Sequence, residues 1–156
     1  MIKKNIVIIY ISIFIFFLDR LSKFYILKLS NLQDITNFYI TSFLNLNLVF
    51  NKGIAFGLLS MDEAIHYNII TFIILIITLI VLVMAIKTSG VEKYGFSMIF
   101  GGSLGNIFDR LYYSAVIDFI DIHIDNIHWF IFNFADIFIT TGVLLLIFFE
   151  VYKKKI

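Results

Sequence analysis

Four aspartates stand at the ends of, or just beyond, strongly apolar stretches: Asp19, Asp109, Asp118 and Asp136. Amides and a guanidinium sit near them in the chain: Asn51, Asn106, Arg110 and Asn133. Two carboxylates held close together cannot both ionise, so they share one proton. The ionised member then takes a proton from water while the protonated member polarises a carbonyl. Such a pair titrates as a unit. At a membrane edge it is equipped to cut a peptide bond just outside the bilayer. Position and spacing do not say which two acids pair.

Other chemistries fit less well. There is no Cys, which removes disulfides, thiol catalysis and thiolate metal sites. No H-E-x-x-H motif is present. Asp121, His123 and Asp125 alternate and on a strand would share a face as metal ligands could, but a wet loop is their ordinary explanation. Ser103 as a nucleophile needs a base at its own depth, and His66, His123 and His128 all lie near the chain's outward loops. Arg110 either pairs with its neighbour Asp109 or serves a substrate carbonyl or headgroup. A net charge of +1 offers nothing to nucleic acid.

The elements that must position these residues follow from composition. The chain of 156 residues is 61% hydrophobic, with 19 Phe and no Pro, and has a mean hydropathy of +0.99. A small soluble domain cannot bury that much apolar surface. The expected class is an integral membrane protein, mainly α. Four transmembrane helices are expected at about 5–29, 66–86, 94–112 and 136–152, each near the ~20 residues that cross the hydrocarbon. The first follows Lys3 and Lys4 as a signal peptide would. It lacks a small-residue cleavage site and continues into Asp19-Arg20, so it reads as a retained helix. The whole chain, 1–156, reads as a single membrane domain.

Basic residues set the orientation. Lys3, Lys4, Lys87, Lys93, Lys153, Lys154 and Lys155 cluster at the termini and in the 87–93 turn, whereas loops 30–65 and 113–135 carry only Lys52. The positive-inside rule therefore predicts cytoplasmic termini and two outward loops. Measured from these lysines at 1.5 Å per residue, Asp19, Asp109 and Asp136 lie at one depth, about 23–25 Å away. Ionisable groups there usually face a bundle interior. Gly101 and Gly105 form a small-xxx-small pattern that lets helices approach closely, bringing Asn106 and Arg110 against a neighbour. In the outer region, LNLNLVFN from Leu44 alternates with period two and ends at a turn, Asn51-Lys52-Gly53. A small extracytoplasmic β-sheet is expected over about 35–62. Residues 113–135, between helices 3 and 4, read as an interfacial loop.

Five motifs in order then carry a resemblance: DRLSK (19–23), NKGIAF (51–56), GGSLGNIFDR (101–110), VIDFID (116–121) and FNFAD (132–136). Each alone is weak; together, over essentially the full length, they are specific. The chain resembles bacterial lipoprotein signal peptidase, or signal peptidase II. That family implies an aspartic endopeptidase of the bacterial cytoplasmic membrane. It removes the signal peptide from diacylglyceryl-modified prolipoproteins, just before the lipidated Cys. By this resemblance Asp118 and Asp136 are the catalytic pair. Asp19, Asn51, Asn106, Arg110 and Asn133 match positions around the substrate, and Asp109 is a structural partner. The resemblance implies no metal, no cofactor and no obligate protein partner beyond the prolipoprotein and membrane lipid. Ser22 stands where Thr is common, and no Pro precedes FNFAD. Two other classes compete. A proton or ion conductor would place acids through the whole membrane thickness, and here the inner half has almost none. A structural subunit would not need Asn and Asp clustered at one level.

Overall fold

The computed structural model describes residues 2–53, 64–124 and 127–153. The end of NKGIAF, the distal part of the 35–62 platform, Asp125 and the last three residues lie outside the described residues, and of Lys3, Lys4 and Trp129 only the backbone is described. The elements run α1 (Ile2–Gln33), β1 (Asn37–Thr41), β2 (Leu44–Asn51), α2 (Ala64–Lys87), α3 (Glu92–Tyr113), β3 (Val116–Ile124), β4 (Ile127–Phe132) and α4 (Phe134–Lys153).

Segments Asn5–Gln33, Ile65–Lys87 and Phe134–Lys153 are long and apolar enough to cross a membrane. Their outward faces carry large exposed apolar side chains, among them Phe14, Phe17, Phe72, Ile76, Ile80, Leu144 and Phe148. In water such a surface would be a liability; against lipid it is solvated. α3 differs from these three. It has comparable length, 22 residues, but it is packed against α1, α2 and α4. Surrounded by protein, it can carry Gly, Ser, Asn, Asp and Arg where a lipid-facing helix cannot. A Cβ on Gly101 would lie 2.8 Å from the α1 backbone at Ser12, and one on Gly102 would lie 2.5 Å from the Ala135 carbonyl of α4. The glycines thus set the two helix contacts that the site depends on.

α1 runs to Gln33, four residues past the expected end. Residues 30–33 contain no breaker, and the helix stops where Asp34 turns left-handed at φ 51°. The strands form one antiparallel sheet in the order β1-β2-β3-β4. β1 and β2 fall inside the expected platform. The reading of 113–135 as a loop is corrected: β3 and β4 occupy most of it and extend the sheet. β3 is bonded on both sides and almost wholly buried in its first half. A strand covered on both faces loses the apolar–polar alternation that reveals β2. The sheet's core packs Phe38, Leu48, Ile117 and Phe119 on Ile26 near the end of α1. That contact ties the sheet to the bundle at the level of the acids.

Candidate active site

Asp136 begins with a local reason for its place. Asn133 precedes α4 and accepts the Asp136 N–H on its Oδ1 at 3.0 Å, while Asp136 Oδ2 accepts the Asn133 N–H at 3.2 Å. This is a reciprocal capping box, with Asp in the place more often held by Glu. It satisfies two helix-end donors and fixes the carboxylate at the mouth of an apolar helix. The other Asp136 oxygen, Oδ1, accepts from Asn106 Nδ2 at 2.8 Å.

Asp118 comes from β3, and its neighbours from β2. In the ladder Val49 faces Asp118 and Asn51 faces Val116. Asn51 is therefore a diagonal neighbour of Asp118 on the same face. Its Nδ2 donates to Asp118 Oδ2 at 2.9 Å. Asn133 Nδ2 donates to Asp118 Oδ1 at 2.6 Å. Asn133 thus holds both acids, Asp118 through its side chain and Asp136 through its backbone N–H. Burial first, and then the charge of nearby Asp136, push the Asp118 carboxyl up to about 7. The two Asn donors oppose that rise without cancelling it.

Neither acid has a cation as a direct partner among the described residues. The cations lie one layer away. Lys23 Nζ bonds to Asp19 at 3.0 Å and Asp109 at 2.6 Å, and Arg20 bonds to the same two acids at 2.7 and 2.5 Å. Arg20 also lies over the Phe108 ring at 4.7 Å. Lys23 then donates to Asn106 Oδ1 at 3.1 Å, and Asn133 Nδ2 reaches that same oxygen at 3.2 Å. With Oδ1 taken by two donors, Asn106 must present its NH₂ to Asp136.

The buried ion cluster also grips the backbone. Asp19 Oδ1 accepts the Ala135 N–H at 3.1 Å, and Asp109 Oδ2 accepts the Ile117 N–H at 3.2 Å. Those are the residues just before Asp136 and Asp118. Asp19, expected around the substrate, is instead fully buried beneath the site. The Asp109–Arg110 ion pair is not formed, since Asp109 faces Arg20 and Lys23. Arg110 donates to the Gly53 carbonyl at 2.5 Å and lies 5.3 Å from the Tyr67 ring centre. Arg20 and Lys23 were missed as site-building residues. The i,i+4 spacing of Asp19 and Lys23 on a helix was the available signal.

A cavity of about 470 Å³ opens on this arrangement. Asn51, Asn106, Arg110, Asp118 and Asp136 line it, with an apolar wall of Ile74, Val116, Phe130, Ile131, Phe132, Ile137 and Ile139. A few convergent polar groups in an apolar cleft are what a substrate site looks like. The family model described as signal peptidase (SPase) II matches residues 11–152. The chain belongs to the signal peptidase II family. The lipoprotein signal peptidase of Pelagibacter ubique (strain HTCC1062) is 49% identical over 148 residues, covering 95% of this chain and 87% of that protein. That of Wigglesworthia glossinidia brevipalpis is 38% identical, covering 99% and 95%. A bacterial membrane enzyme solved by the in meso method at 2.3 Å resolution superposes with a TM-score of 0.76 at 30% identity, over 95% of this chain and 89% of that one. A second in meso structure, at 1.9 Å, gives 0.69 over 91% and 90%. Signal peptidase II membership makes the chain a membrane protease, and this apolar cavity with its few polar groups is its candidate active site.

Proposed function

We propose that the protein is an aspartic endopeptidase that removes the signal peptide from diacylglyceryl-modified prolipoproteins, cutting just before the lipidated Cys. The observation that carries this reading is the holding of Asp118 and Asp136 by one residue, Asn133, at the wall of an apolar cavity. In this reading the pair shares one proton, drawn here on Asp118. Asp136 takes a proton from the attacking water. The hydroxide oxygen bonds to the scissile carbonyl carbon while Asp118 hydrogen-bonds the carbonyl oxygen. Collapse of the tetrahedral adduct breaks the C–N bond, and the proton taken from water passes to the leaving amine. Asn51 and Arg110 face the cavity as donors for the peptide, and Asn106 and Asn133 hold the acids.

In this reading α3 is the fourth span, shielded from lipid by its three neighbours. The termini and the 87–93 turn face the cytoplasm, and the sheet lies on the outer face of the cytoplasmic membrane. The sheet holds the unwound signal peptide extended. The acyl chains stay in lipid against the apolar helix faces. Reporter fusions at Thr88 and after α4 should read cytoplasmic, and one near Asn126 external; an external signal at Thr88 inverts the arrangement. The decisive test is incubation of purified protein with a lipidated and an unlipidated prolipoprotein, followed by mass determination. Cleavage before the Cys of the lipidated form alone is expected. Equal cleavage of both forms, or cleavage elsewhere, defeats the proposed specificity.

A further inference from the structure

The end of the β3–β4 hairpin where β3 passes to β4 holds a cluster that the proposed mechanism does not use. β3 is regular, so Asp121 and His123 share a face. His128 of β4 stands directly opposite His123 in the ladder. One ligand atom from each of Asp121, His123 and His128 lies within 4.8 Å of the others. The cluster also holds an unmet need. His123 is 8% exposed, and its Nδ1 is buried with no hydrogen-bond partner among the described residues. A buried ring nitrogen left unpaired is costly and calls for an acceptor or a ligand. Asp121 is fully buried, and among the described residues both its oxygens turn to a single atom, His128 Nδ1, at 2.9 and 3.0 Å. That single N–H leaves most of the carboxylate's acceptor capacity unused.

We propose that this hairpin end binds one divalent transition-metal ion of the zinc class through Asp121, His123 and His128. Two imidazoles and one carboxylate, without sulfur, suit Zn²⁺ or Co²⁺ better than Mg²⁺ or Ca²⁺. A tetrahedral zinc with bonds near 2.1 Å sets its ligand atoms about 3.4 Å apart. The three donors must therefore close by roughly an ångström, a side-chain rotation rather than a backbone change. His128 is the member free to make it, with its side chain 54% exposed. The ion replaces the Asp121–His128 hydrogen bond, gives the His123 ring nitrogen a partner, and takes water at its open position. None of the three residues lines the catalytic cavity, and Asp118 points to the opposite face of β3. The ion is a clasp for the hairpin, not a participant in peptide hydrolysis. The sequence pattern Asp121, His123 and Asp125 pointed near this place, but the third described ligand comes from β4.

The full-length protein, purified without a polyhistidine tag and stripped with chelator, is dialysed against Zn²⁺ alone and then Co²⁺ alone. One ion per chain is expected, with the visible absorption of four-coordinate Co²⁺ and a higher thermal midpoint in Zn²⁺. His128→Ala and His123→Gln should each weaken binding by about tenfold or more, and the Zn²⁺-dependent midpoint shift should vanish. His128→Ala alters an exposed residue, and its unchanged cleavage rate would show that it folds. Asp136→Asn, outside the cluster, should keep the full stoichiometry. The proposal is overturned if the wild type binds no ion. Binding that persists unchanged in both His variants overturns it equally, because the ion then sits elsewhere.

Discussion

Two pairs of aspartates lie side by side in this protein and differ in what compensates them. Asp19 and Asp109 face Arg20 and Lys23, two carboxylates against two cations. Asp118 and Asp136 face neutral amides, from Asn51, Asn106 and Asn133. A buried acid matched by a cation has its charge compensated in place. Two neighbouring acids matched only by amides share one proton in the proposed reading. Burial alone does not separate the two pairs; the identity of the partner does. The two pairs are also coupled. Each charge-matched acid accepts the backbone N–H of the residue before an amide-matched acid, Ala135 before Asp136 and Ile117 before Asp118. The charge-matched pair is thus the frame on which the amide-matched pair is hung.

The sharpest way to separate the pairs is to neutralise one acid in each. Asp118→Asn and Asp136→Asn should lower cleavage by about 10³-fold or more, since each removes a proton-transfer group. Both should still insert and unfold cooperatively in detergent. Near wild-type turnover in either purified variant would dissolve the distinction.

Asp109→Asn should fail differently. It strips Arg20 and Lys23 of a partner and weakens the hold on Ile117. Breaking a buried ion cluster costs about 3–5 kcal/mol. The expected result is a lower thermal midpoint, with turnover per folded molecule falling less than in the Asp118 and Asp136 variants. A stable Asp109→Asn protein with no activity would move the acid role from Asp118 to Asp109.

Much of this arrangement was legible in the chain, and the failures have physical causes. The apolar run from Asp136 onward signalled the last helix, and its cap by Asn133 went unread. Lysine positions placed three acids at one level. Period two marked β2, whose Leu44, Leu46 and Leu48 alternate with Asn45, Asn47 and Val49. β3 hid its strand character under burial and acids. The division of the acids into two pairs was not readable at all from spacing. It depends on Arg20 meeting Asp109 across 89 residues, and no local pattern encodes that distance. Asp19 was placed around the substrate by the family resemblance of DRLSK alone. The structure turns its Asp, Arg and Lys inward, beneath the cavity.

Arg110 tests the boundary between the pairs. It lines the cavity, is buried, and spends one N–H on the Gly53 carbonyl. Removing one donor to a developing oxyanion costs about 10²–10³-fold in turnover. Arg110→Ala should therefore be slow but measurable, with a pH profile shaped like that of the wild type. A stable variant with an unchanged rate would remove Arg110 from the site. A variant that fails to fold would instead make it a brace for the segment at Gly53.

The smallest effect is on stability against pH, and its sign follows from Asp118. An ordinary Asp titrates near 4, and this one is raised to about 7 in the folded protein. The folded state therefore holds a proton that the unfolded state releases over that interval. Stability from this group is complete below pH about 4 and is lost as pH rises to about 7. Above that it is gone, a loss of at most about 4 kcal/mol at 1.36 per pKa unit. Asn at 118 has no charge to bury. Asp118→Asn should thus match the wild type near pH 4 and melt higher at pH 8. Its gain at high pH is trimmed by about 1 kcal/mol, because an Asn cannot accept from both Asn51 and Asn133. Asp109→Asn should show no such gain, since its acid is matched by Arg20 and Lys23. Thermal scans of the three proteins in detergent across pH 4–8 read the contrast directly. An Asp118→Asn midpoint that falls parallel to the wild type at every pH would mean that Asp118 is ionised throughout. The amide-matched pair would then differ from the cation-matched pair in geometry alone.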